Sequence, residues 1–137
     1  MSIRALPLLL IAFLFYNVIV LFGGDADPNI ALDKKVFEFT LPNGKYPWKF
    51  NWGDLVILIL LVMLFFELLK ATYTSSTSLL DHGLSMLVFV VCLIEFLMIP
   101  QAQTSIFFFV TVATLIDVIA GYTIGIRVAR RDLAIGG

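Results

Sequence analysis

Residues 104–126 read TSIFFFVTVATLIDVIAGYTIGI, 23 residues with one charge, Asp117, and no proline. Roughly 20 mostly apolar residues are enough for a helix to cross hydrocarbon, so this run predicts a transmembrane helix. Within it Ala113, Asp117, Gly121 and Gly125 recur at four-residue steps, which places all four on one stripe. Gly121-Tyr-Thr-Ile-Gly125 is a GxxxG match, and small residues on a stripe let another backbone approach closely in lipid. Asp117 is therefore expected to face protein, as acids inside a membrane do.

Working outward, three more runs have the same character, at 5–23, 54–73 and 82–99, of 19, 20 and 18 residues. The expected architecture is an all-α membrane protein, a four-transmembrane-helix up-down bundle forming a single membrane domain over 1–137. The first run follows Arg4 like a signal peptide. It is longer than a typical signal h-region and reads as a retained helix, with Pro7 in its first turn. Asn51-Trp52-Gly53-Asp54 is expected to cap the second helix, and Ser78-Leu79-Leu80-Asp81 resembles a capping box ahead of the third. Pro100-Gln101-Ala102-Gln103 makes a turn tight enough to force antiparallel neighbours.

Composition agrees. The 137 residues are 61% hydrophobic and 14% charged, against about 45–50% and 25% in soluble domains, which excludes a soluble enzyme or a disordered linker. Nine Lys and Arg against ten Asp and Glu leave a net charge of −1, with no basic field for nucleic acid. One cysteine, Cys92, excludes a disulfide framework. Arg4, Lys70, Arg127, Arg130 and Arg131 fall on one side of the predicted spans and Lys34, Lys35, Lys45 and Lys49 on the other. The Arg-dense tail, 127–137, favours both termini in the cytoplasm. A bacterial inner membrane is the expected location.

The first loop, 24–53, is the one connection long enough for structure of its own. Val36-Phe-Glu-Phe-Thr-Leu41 and Lys45-Tyr-Pro-Trp-Lys-Phe50 alternate on either side of Pro42-Asn43-Gly44. Asn-Gly between alternating runs predicts a short extracytoplasmic β-hairpin with a two-residue turn. That register pairs Leu41 with Tyr46, Phe39 with Trp48 and Phe37 with Phe50 on one face, and Glu38 with Lys49 on the other. The aromatic face is either an interfacial belt or a docking surface.

Depth along the helices predicts two polar layers. Glu67 and Asp117 each lie 13 residues into their spans, and both spans start on the loop side. Asn17 and Glu95 share a second level nearer that side. Lys70, three residues after Glu67, is placed to pair with it. His82 reads as an interfacial structural histidine and Cys92 as a small apolar filler. No Gly-rich phosphate loop, GxSxG, HExxH or paired cysteine occurs, so neither catalysis, a metal nor a cofactor is expected. The expected function is that of a non-catalytic accessory subunit, whose partners are the lipid bilayer and a homo-oligomer or larger membrane complex. The stripe and the hairpin would be its contact surfaces. The alternative is proton or ion translocation, with Asp117 as the central acid.

Overall fold

A computed structural model describes residues 6–72 and 78–136. In chain order they form α1 (Leu9–Phe22), α2 (Pro28–Leu32), β1 (Lys35–Phe39), β2 (Trp48–Asn51), α3 (Trp52–Ala71) and α4 (Ser78–Met98). A single 3-10 turn at Pro100–Ala102 then leads into α5 (Ser105–Gly136). Among these, α3, Leu80–Met98 of α4 and Ser105–Arg127 of α5 are long and apolar enough to cross a membrane. This is a largely helical membrane protein with a small antiparallel sheet.

The expected first span is shorter than its apolar run. Helix α1 has 14 residues, about 21 Å of rise against a hydrocarbon core of about 30 Å. Pro7 and Leu8 form a turn in front of it, with Leu10 N–H bonded to the Pro7 carbonyl at 3.2 Å. Arg4 lies outside the described residues. Helix α3 begins at Trp52 rather than 54. Asn51 caps it by accepting from Asp54 N–H at 2.8 Å, and the Asp54 carboxylate accepts from Asn51 N–H at 3.1 Å. Helix α4 begins at Ser78, ahead of the expected 82, and the side chain of Ser78 lies outside the description. Helix α5 runs through the expected tail to Gly136. Arg127-Val-Ala-Arg-Arg-Asp-Leu-Ala134 holds no proline or glycine and is rich in helix formers, so nothing stops it earlier.

Helix α5 is central, lying against α3, α4 and α1, while α1 packs mainly on α3. The core where they meet includes Tyr16, Val56, Leu60, Cys92, Phe107 and Val110. Tyr16 is its polar anchor. Its hydroxyl reaches the Gln101 carbonyl at 2.7 Å and the Thr104 hydroxyl at 2.8 Å, and its ring lies 5.0 Å from that of Phe107. Elsewhere the helices turn Leu58, Leu61, Phe65, Leu87, Ile94, Phe108 and Ile119 outward, the apolar periphery a lipid solvent requires.

The expected hairpin is present with its central register intact, Phe37 opposite Phe50, Glu38 opposite Lys49 and Phe39 opposite Trp48. Its turn differs. Gly44 N–H bonds the Leu41 carbonyl at 2.8 Å, so Pro42 and Asn43 are the central residues, and neither Asn43 nor Gly44 has positive φ. Proline pre-sets the negative φ of a turn's second residue, which outweighs the Asn-Gly preference. The ladder consequently stops at Phe39 and Trp48, leaving Leu41 and Tyr46 in the loop and unpaired. A register shift between Lys35 and Phe37 brings Lys35 to the Glu38 face. Glu38 makes its ion pair there, at 2.7 Å, rather than with Lys49 opposite.

The loop also contains α2, which the sequence reading missed although its signal is present. Asp27 accepts from Asn29 N–H at 2.9 Å ahead of Pro28 in the first turn, the arrangement that starts a helix.

Candidate functional site: two polar layers and an aromatic face

The lower layer, away from the hairpin, is closed. Glu67 and Asp117 are each 5% exposed. In this layer α1 presents an unsatisfied helix start, and in lipid every such backbone donor needs a protein partner. The Glu67 carboxylate supplies one, accepting Leu8 N–H at 2.7 Å, while Lys70 bonds Glu67 at 2.8 Å and the Leu6 carbonyl at 3.1 Å. The predicted Glu67–Lys70 pair thus clamps the start of α1 onto α3. Asp117 joins the cluster beside Ser85 and Glu67. Lys70, Asp81, His82, Ser85, Glu67 and Asp117 border a cavity of about 30 Å³, room for one or two waters.

The glycine stripe is covered from within the chain. His82 stacks on Tyr122 with ring centroids 4.2 Å apart and lies across Gly121 and Gly125. A Cβ on Gly125 would stand 2.9 Å from His82 Nε2, and one on Gly121 3.3 Å from its Cε1. The surface expected to meet a second subunit is therefore occupied by α4, with Ala113 in the core beside it. Sequence reasoning placed His82 at an interface and missed this role. The available signal was a glycine pair needing a bulky ring opposite it.

The upper layer is open. Asn17 Nδ2 donates to the Phe13 carbonyl at 3.0 Å and reaches Glu95 Oε2 at 3.5 Å; both residues are half-buried. Between the layers α5 carries buried Thr111 and Thr114, but each hydroxyl bonds a carbonyl of its own helix, at 3.0 and 2.6 Å.

Above the helices Phe37, Phe39, Trp48 and Phe50 pack on one another. Phe37 stacks on Phe50 at 4.8 Å, and Trp48 meets Phe39 edge-on at 5.4 Å. Phe37, Phe39 and Trp48 remain 40–48% exposed, so the bundle leaves this face uncovered. Among the described residues no three His, Cys, Asp or Glu side chains come together in a metal-holding group. Compared with known proteins, the chain matches no family model, no curated relative and no solved structure.

Proposed function

We propose that this protein is a non-catalytic accessory subunit of a larger membrane assembly, with the hairpin as its docking element. In this reading four helices cross a bacterial inner membrane, α1 completing its passage with the turn residues before it. Both termini face the cytoplasm and the hairpin lies outside. The observation that carries the reading is the pre-packed ring face. A two-stranded hairpin is marginal alone, and its rings offer roughly 300 Å² of uncovered apolar surface, comparable to the largest patch on a typical monomer, which is often functional. Ring-on-ring packing fixes the side chains before binding, which lowers the ordering cost of association. With the glycine stripe used internally, the hairpin carries the docking role.

The test is quantitative co-purification from membranes in mild detergent. The wild-type chain is expected to bring down a stoichiometric neighbour, and Phe39→Ser with Trp48→Ser to lose it while remaining folded. An unchanged complex would remove the reading.

A second reading, proton exchange, is favoured by one observation, the Glu67–Asp117 contact beside a water-sized cavity. Liposome proton flux distinguishes it: transport predicts that Asp117→Asn abolishes flux, and equal flux in both proteins ends it.

A further inference from the structure

Helices α1 and α4 flank α5 but scarcely touch each other, leaving a cleft with two unlike parts. One is a slot of about 210 Å³ lined only by apolar side chains, among them Leu10 and Phe13 from α1 and Leu84, Leu87, Val88 and Val91 from α4. The other, nearer the hairpin, is a wider hollow of about 410 Å³ that shares Phe13 and Val91 with the slot and contains Asn17 and Glu95. From Leu84 to Glu95 is 11 residues, about 16 Å of helix rise, close to half of a hydrocarbon core of about 30 Å. The cleft is one leaflet long, apolar at one end and polar at the other.

The polar end consists of one carboxyl and one amide. The Glu95 carboxyl and the Asn17 carbonyl offer acceptors, the Asn17 amide is already turned to Phe13 and Glu95, and among the described residues no Lys or Arg lines either part. An anionic head finds no cation among the described residues there. A phosphate head stays at the interface, above Glu95, which lies three residues inside the end of α4. What fits is a small head that donates.

We propose that the α1/α4 cleft binds a single-chain amphiphile with a hydroxyl head, the hydroxyl donating to Glu95 and the chain lying in the slot between Phe13 and Val91. The inference rests on the cleft alone and stands independently of hairpin docking.

The test uses the full chain in phosphatidylcholine nanodiscs loaded with equal amounts of hexadecanol and its methyl ether, which share a chain and differ in the donor. The protein is recovered and the retained probe is measured by mass spectrometry. A hydrogen bond to the Glu95 carboxyl predicts retention of the alcohol up to about tenfold over the ether. Glu95→Leu is expected to remove that preference, and Asn17→Leu, a second variant in case the first fails to fold, to reduce it. Val91→Trp, at the junction of slot and hollow, should lower retention of both probes. Equal retention of alcohol and ether by the wild type overturns the proposal, as does a preference that survives in folded Glu95→Leu. So does a chain that retains neither probe because a second copy or a partner helix fills the cleft.

Discussion

The two polar layers are built from the same kinds of residue at matched depths, and they end in opposite states. In the lower layer Glu67 accepts a backbone donor and an ammonium, lies beside Asp117, and is buried. In the upper layer Glu95 has a 3.5 Å contact with an amide and stands half-open in a cleft. The difference comes from the helices around them. Helices α3, α4 and α5 close over Glu67 and Asp117, whereas α1 and α4 stay apart at Asn17 and Glu95. An intramembrane acid is a structural clamp where the packing closes and an available acceptor where it does not.

The comparison breaks most visibly at Glu67. Replacing it with Leu leaves Leu8 N–H without its acceptor and takes the carboxylate away from Lys70, and a broken buried pair costs about 2–3 kcal/mol once the partial exposure of Lys70 is discounted. Denaturation in mixed micelles should show that loss, together with release of α1. A smaller effect is expected from Gly125→Leu. Its new side chain collides with His82, and overpacking of this kind costs about 1–2 kcal/mol, with loss of the His82–Tyr122 stack visible in ring chemical shifts. Glu95→Leu should change stability by less than about 0.5 kcal/mol, because the contact it removes is long and half-exposed. If Glu95→Leu proves as damaging as Glu67→Leu, the upper layer is a clamp as well.

The smallest effect lies outside the membrane. The Lys35 ammonium bonded to Glu38 holds that carboxyl below its usual value of 4.5. Its contribution to the hairpin is therefore fully present above pH 4.5 and is lost as pH falls through the lowered value. Ring chemical shifts of Phe37 and Phe39 should loosen over that acid range in the wild type, and lose the dependence in Lys35→Ala.

How far the sequence revealed this follows from range. Apolar runs located the helices because the lipid requirement acts on every residue of a span, and alternation set the hairpin register because one slip moves every ring to the other face. Rise per residue put Glu67 level with Asp117 and Asn17 level with Glu95. Depth says nothing of azimuth, so the closure of one layer and the opening of the other were not legible. The glycine stripe showed that something approaches α5 closely, but its occupant, His82, lies in the second turn of another helix some forty residues earlier. Element ends failed where local chemistry was read too loosely, as in the hairpin at Pro42, whose fixed φ moved the turn, and at Arg127–Ala134, where no breaker ended α5.

The central claim, that the ring face is held for a protein partner, is tested most directly by the fluorescence of Trp48 in a Trp52→Phe chain reconstituted with brominated lipid. The account predicts weak quenching by the lipid, ready quenching by acrylamide in the isolated protein, and loss of the acrylamide effect when the native assembly is restored. Strong quenching by brominated lipid in the isolated protein would place the face on the bilayer and contradict the account.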